Sequence, residues 1–351
     1  MFLTGHTGFK GSWMALWLKA LGAEVTAFAL PPDDIRGNHF NQTELGLDVV
    51  SILGDARDFG AVQAALEESR AEIVFHLAAQ PLVRQSYDDP IGTYASNVMG
   101  TVHVLDAVRQ NQGQSVKAIV NITTDKCYEN KEWHWAYREN DALGGYDPYS
   151  SSKACAELVS SAYRQSFFEK SGVNLATARA GNVIGGGDFA TDRIIPDIVE
   201  AIGDGKAVLL RNPKAIRPWQ HVLDALFGYL ILGMKLSGED GVDYAQAYNF
   251  SPSSIDTFDV ETITQSFIEK IGQGSYKVDR AGANVHEAKL LRLDPSLAQQ
   301  DLGWTPMLDV DNTMDFTVDW YQNYLSNTAT IKDFTLEQLN QYMKKIEVYY
   351  D

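Results

Sequence analysis

A doubly wound parallel α/β sheet with a smaller mixed α/β subdomain is the fold this 351-residue chain predicts, and three observations predict it. Short apolar runs of strand length alternate with helical patterns through the first half, as parallel strands joined by crossover helices require. Three glycines separate the first such run from the first helix. After Gly181 the rhythm breaks into loops and shorter, mixed segments. The chain also exceeds the usual size of a single hydrophobic core, which favours two subdomains or one enlarged domain.

The opening FLTGHTGFKGSWMALWLKALGA predicts a short strand, a glycine turn and an amphipathic helix. Only Met1, Phe2 and Leu3 precede the turn, which leaves an earlier natural start open. Further strands are expected in EVTAFAL (24–30), VVSILGD (49–55), EIVFHLAA (72–79), KAIVNITT (117–124) and VNLATARAGNVIG (173–185). Between them, Asp58 to Arg70 and Ile91 to Gln110 repeat apolar residues every three or four positions, the period of a helix with one buried face. GGGDFATDRIIPD reads as a loop, and AIRPWQHVLDALFGYLILGMKL as a loop feeding a buried helix. TLEQLNQYMKKIEVYYD is helical in pattern to about Val348 and is expected to pack on the surface. The boundaries are then 1–180 with about 218–250 for the sheet domain, and 181–217 with 251–351 for the subdomain.

A net charge of -17 argues against nucleic acid or an anionic membrane as partner, because polyphosphates are held by excess Lys and Arg. A small anion in a locally basic pocket stays compatible. Cys127 and Cys155 have neither the number nor the spacing of a zinc site or a disulfide framework, so no metal is expected and a reducing cytoplasm fits best. The longest uncharged apolar run, Ala225 to Met234, falls far short of the roughly 18 to 20 residues that span a bilayer. Glycines and lysines interrupt the apolar opening, so it reads as folded structure rather than a signal peptide.

Gly5, Gly8 and Gly11 have the context of a dinucleotide-binding turn, spaced G-x-x-G-x-x-G. The first glycine permits the turn, the second lets backbone approach a pyrophosphate, and the third permits close helix–strand packing at a helix amino terminus. Thr7 and Phe9 belong to the same turn. Asp55 and Ala56, after the third strand, suit an adenine, although Asp55 could instead cap the following helix. Leu77, Ala78 and Ala79 offer small surfaces after the fourth strand. The second strand does not end in an acidic residue for the ribose hydroxyls, so the choice between NAD and NADP is open at this point. Arg36, in the loop beyond, is a weak candidate for a phosphate. His6 and His76 read as structural histidines, and Trp133, His134 and Trp135 as either packing or an active-site wall.

DPYSSSKACAEL (147–158) places Tyr149 four residues before Lys153, on one face of a helix. With Asn97 in ASNVMGT and the run ITTDKCY, the motifs stand in the order of the extended short-chain dehydrogenases/reductases, whose fold is the Rossmann type. TGHTGFKGSW, HLAAQPLVRQSYDDP, TTDKCYENKEW, YRENDALGGYDPYSSSKACAE, GNVIGGGDFATDRIIPD and RPWQHVLDAL resemble, more narrowly, the CDP-glucose 4,6-dehydratases. The resemblance is specific over about residues 1 to 250.

That resemblance implies bound NAD and a nucleotide-sugar substrate, CDP-glucose. A tyrosine ionising near pH 10 is a poor base, so Lys153 and the cationic nicotinamide would stabilise the Tyr149 phenolate. Thr124 would partner the substrate alcohol. Tyr149 would take the C4 hydroxyl proton as hydride leaves C4. Lys126 would then remove the C5 proton while Asp125 protonates the departing C6 hydroxyl, and the hydride would return to C6. Asn97, Tyr149 and Lys153 would contact the cofactor. Arg84, Asn182, Arg193 and Arg217 would contact the substrate, the arginines through its diphosphate, while His221 and Asp224 organise the helix after them. A homodimer through the helices starting near residues 91 and 151 is implied, with a tetramer compatible. A nucleotide-sugar 4-epimerase would share all but the Asp125–Lys126 pair, and a silent scaffold protein would lack need of the tyrosine and lysine.

Overall fold

The computed structural model describes residues 1–33, 37–111, 115–252, 258–279, 288–326 and 331–350. Among them, one sheet is built from β1 (Phe2–Thr4), β2 (Thr26–Ala29), β3 (Val50–Leu53), β4 (Ile73–His76), β5 (Ala118–Ile122), β6 (Asn174–Ala180) and β7 (Ala247–Phe250). Its order is β7-β6-β5-β4-β1-β2-β3 and every pairing is parallel. The winding reverses between β1 and β4, and in such sheets the crevice beyond the strands' carboxyl ends at that reversal is where ligands bind.

Successive residues of a strand face opposite sides, and both sides here are apolar, as a parallel sheet covered on both faces demands. Phe2, Val74, Ile119 and Leu175 pack with the helices Phe59–Ser69 and Gly100–Gln110. Their neighbours Leu3, Phe75, Val120 and Ala176 pack with α1 (Phe9–Ala20) and the helix Val222–Ser237. Each such large side chain removed from water contributes about 1.5–3 kcal/mol.

Smaller pairings lie beyond the main sheet. Ile216–Arg217 runs antiparallel to Phe258–Asp259, and Val208–Leu210 parallel to Tyr276–Val278. No helix among the described residues is long and apolar enough to cross a membrane.

Three elements depart from expectation. The run 173–185 is a strand only to Ala180, and Val183–Ile184 pairs separately with Gln220–His221. The loop expected through Asp197 ends at Arg193, because Ile194–Gly203 is helical; Pro196 lies in the first turn, where its missing N–H leaves no bond unmade. The last helix runs Ile331–Tyr350 and is not surface packing. Ile331, Thr335, Leu339 and Tyr342 form a buried stripe at helical spacing against the main core.

Candidate active site

The turn between β1 and α1 is closed by the backbone. Gly5 has φ +82°, a left-handed value that penalises any side chain, and a Cβ there would lie 2.7 Å from the Ala78 nitrogen. A Cβ on Gly11 would lie 2.0 Å from the Gly5 carbonyl oxygen. Gly8 caps α1 without a side-chain hydrogen bond, so the helix presents its first N–H groups beside an uncovered turn. Thr7 donates to the Leu30 carbonyl at 2.9 Å, tying the turn to the end of β2. This narrow cradle fits a dinucleotide pyrophosphate.

At the end of β5, consecutive groups take different partners. The Ile122 carbonyl accepts from Lys153 Nζ at 3.0 Å, and the Thr123 hydroxyl donates to Glu157. The Thr124 hydroxyl donates to Asp125 Oδ1 at 3.0 Å, and Asp125 Oδ2 makes no hydrogen bond among the described residues. Lys126 Nζ stands 5.9 Å from the centre of the Tyr149 ring.

Tyr149 and Lys153 arrive from the helix Pro148–Tyr163. Asp147 caps it, accepting from the Ser150 N–H at 2.8 Å and the Ser150 hydroxyl at 2.7 Å, and Pro148 takes the first helical position, where its fixed φ suits the helix. Burial pushes the Tyr149 phenol up to about 12, with the Thr124 hydroxyl pulling it back. Burial also brings the Lys153 ammonium down to about 8, opposed chiefly by Glu157, and raises the Asp125 carboxyl, with Lys126 opposing. Tyr149, Asp125 and Lys126 therefore share one pocket wall, with Lys153 one turn after Tyr149 on the same helix, a set able to move protons to and from adjacent atoms of a substrate.

A cavity of about 810 Å³ opens in front of them, and Thr124, Asp125, Lys126, Tyr149, Arg84, Asn182, Arg193 and Arg217 all line it. Arg193 donates to Asp188 at 2.8 Å, and Arg84 lies 3.5 Å from Asp192. Lys10 also lines the cavity and was not foreseen. Burial, then the charges of Arg193 and Lys153, bring its ammonium down to about 7.

Other residues lie apart from that cavity. Asp55 does not cap the next helix, since Asp58 does so by accepting from Ala61 N; Asp55 instead holds Arg57, whose guanidinium keeps its carboxyl below the usual range. Asn97 has both ends of its amide engaged, accepting from Gln80 N at 2.8 Å and donating to the Gln80 carbonyl at 3.0 Å and Ser152 at 2.8 Å, so it braces the tyrosine helix. His6 bonds Ser51, and His76 bonds Thr4 and Thr101, as structural histidines do. Trp133 stacks on Tyr137 outside the cavity wall. His221 caps the helix Val222–Ser237, but Asp224 serves later segments, bonding Met307 N and Tyr342. Arg36 lies outside the described residues. Glu157 and Arg179 were also missed, although Glu157 is legible as the next residue on the face that carries Tyr149 and Lys153.

A parallel sheet with a glycine turn at its reversal and a Tyr-x-x-x-Lys helix beside an acid–lysine pair defines a short-chain dehydrogenase/reductase-type enzyme. Residues 2–317 match the family model described as GDP-mannose 4,6 dehydratase. The chain belongs to that family of nucleotide-sugar dehydratases. It is 48% identical over 330 residues to the CDP-glucose 4,6-dehydratase of Salmonella typhimurium, covering 93% of this chain and 91% of that relative. In fold it is similar to DesIV, a dTDP-glucose 4,6-dehydratase from Streptomyces venezuelae with NAD bound, at TM-score 0.76 and 22% identity over 95% and 99% of the two chains. It is similar also to the UDP-glucose 4-epimerase of Thermotoga maritima, at TM-score 0.78 and 20% identity over 93% and 99%. At those identities the likeness bears on the fold alone.

Proposed function

We propose that the chain is an NAD-dependent CDP-glucose 4,6-dehydratase, a hydro-lyase that converts CDP-D-glucose to CDP-4-dehydro-6-deoxy-D-glucose and water. The observation that carries the reading is Asp125: a buried carboxyl with a raised proton affinity and an unengaged oxygen, flanked by Lys126 and next to Thr124 and Tyr149. An epimerase needs the tyrosine but no such acid. The relative at 48% identity supports the base preference.

Gly5, Thr7, Gly8, Phe9 and Gly11 would hold the cofactor pyrophosphate, Asp55 and Ala56 the adenine end, and Leu77, Ala78 and Ala79 its inner side, with Asn97 bracing the wall. When bound, NAD supplies the hydride acceptor and donor that couples C4 oxidation to C6 reduction. Tyr149 Oη would receive the C4 hydroxyl proton, Lys153 would stabilise the phenolate, and Thr124 would hold the sugar hydroxyl in line. Lys126 Nζ would take the C5 proton made acidic by the 4-ketone, and Asp125 would give its proton to the leaving C6 hydroxyl. Arg84, Arg193 and Arg217 would neutralise the diphosphate, with Asn182 orienting it.

Residues 1–180 and about 218–250 would form the cofactor domain, and 181–217 with 251–351 the nucleotide-sugar subdomain. A homodimer through the helices beginning at Pro90 and Pro148 is supported by exposed Ile91, Met99 and Leu158 on them. Two free cysteines fit a reducing cytoplasm.

The test is mass spectrometry of sugar products after incubation with NAD and CDP-, dTDP-, GDP- or UDP-glucose in separate reactions. Loss of one water from the CDP-sugar alone is expected; an unchanged mass with inverted C4 would make the protein an epimerase.

A further inference from the structure

Behind the tyrosine and lysine lies a second buried charge cluster. Glu157 stands one turn after Lys153 on the same helix face. Its Oε2 accepts from Arg179 Nη2 at 2.8 Å and from the Thr177 hydroxyl at 2.8 Å, and its Oε1 from the Thr123 hydroxyl. Arg179 in turn donates to the Tyr128 hydroxyl at 2.8 Å and the Glu139 carbonyl at 3.0 Å. The two side chains of the pair are 4% and 3% exposed.

Taking a carboxylate and a guanidinium out of water is expensive, and an apolar pair of similar volume commonly stabilises a fold as well or better. Stability alone therefore does not explain a pair at this place. Its setting does: Thr123, which clamps Glu157, lies between Ile122, whose carbonyl holds Lys153, and Thr124, which adjoins Tyr149.

We propose that Glu157, clamped by Arg179, Thr123 and Thr177, is a positioning residue that keeps the Lys153 side chain charged and in place at neutral pH. The inference rests on the reading above, in which Lys153 sustains the Tyr149 phenolate. Glu157 is the main charge opposing the burial of Lys153, whereas the nearby Cys127 thiol is held neutral by its own burial. From the other elements, Lys10 on α1 faces Lys153 with like charge, and His76 on β4 is held neutral by burial. Arg164, which donates to the Leu175 carbonyl at 2.7 Å, is a further cation facing Glu157 besides Arg179 and Lys153.

The sign follows. Glu157 raises the proton affinity of Lys153, so without it the ammonium loses its proton at lower pH. The phenolate then loses its cation at neutral and alkaline pH, while below the new midpoint it keeps it. Glu157→Gln alone would leave Arg179 buried without its partner and could misfold. The double variant Glu157→Gln with Arg179→Met removes both charges and leaves no lone ion.

The experiment titrates the isotope-labelled lysine Cε resonance of Lys153, identified by its loss in Lys153→Met, in the wild type and the double variant. The pH profile of kcat is recorded on the same proteins. A midpoint lower by at least about one pH unit, hence a roughly 10-fold smaller charged fraction above it, is expected in the variant. The alkaline limb of kcat would move the same way, with KM within about threefold by the same reasoning, since the diphosphate-binding arginines are untouched. An unmoved midpoint in a folded variant would overturn the proposal. A wild type that leaves CDP-glucose unchanged would instead overturn the functional reading, and the titration would still decide whether Glu157 charges Lys153.

Discussion

The phenol of Tyr342 donates to Asp224 Oδ1 at 2.6 Å, although 118 residues separate them. The same oxygen accepts from Met307 N at 2.7 Å, and the Asp224 carbonyl accepts from Trp304 Nε1 at 3.1 Å. One residue in the first turn of the helix Val222–Ser237 thus fastens two later segments. Tyr342→Phe is expected to destabilise the protein by about 1–3 kcal/mol, the usual penalty for an abandoned buried partner, with KM unchanged. Urea unfolding checks it.

Burial pushes the Asp224 carboxyl up to about 7. Its folded proton affinity therefore exceeds its unfolded one, so the stability it contributes is full below about pH 4 and is lost as pH rises through about 7. Asp224→Asn keeps an acceptor for both donors and abolishes that loss. The melting temperature of the variant relative to wild type is expected to be higher at pH 8 than at pH 5.

Four buried histidines act in the opposite sense. Burial lowers His6 to about 4, and His39, His76 and His221 to about 3. Groups depressed in the folded state contribute stability that is present above their unfolded value near 6.5 and lost as pH falls toward the folded ones. Acid unfolding between about pH 6 and 4 is expected to take up protons on histidine, measurable as a calorimetric proton uptake that shrinks in His39→Gln.

Gly11→Ala would put a methyl against the Gly5 carbonyl, a backbone atom that cannot swing aside. The turn must open, so NAD affinity measured by calorimetry is expected to fall by at least about tenfold, a loss of some 1.4 kcal/mol. An unaltered affinity would mean that the cofactor lies elsewhere.

Asp125→Asn keeps the shape of the acid but removes its proton, and is expected to lower kcat for water loss by about 10²–10⁴-fold with KM little changed. Tyr149→Phe is expected to lose a similar factor. Rates from mass-spectrometric time courses would separate both from a binding defect.

Much of this architecture was legible because it rests on local chemistry. The short apolar runs of the strands, the glycines, and the Asp-Pro cap before Tyr149 each act within a few residues. What escaped depends on distance. Lys10 reads as an ordinary helix lysine until α1 carries it into the cavity beside Arg193 and Lys153. Asn97 has the right residue type for a ligand contact, yet its amide is spent on Gln80 and Ser152, partners 17 and 55 residues away. The last helix reads as superficial because polar and charged residues surround its narrow buried stripe, and Asp224 as a local helix residue because its partners lie far down the chain.

The four groups at the end of β5 have a further consequence. Lys153, Glu157, Tyr149 and the open cavity are addressed in turn by Ile122, the last residue of β5, and by Thr123, Thr124 and Asp125 directly after it, so the register of β5 with β4 and β6 sets the point from which this run leaves the sheet. A deletion of one residue inside β5 would exchange every inward and outward side chain together. Engineering this enzyme for new sugars therefore has freedom in the loops around the cavity and none in that strand, where core and chemistry share a single reading frame.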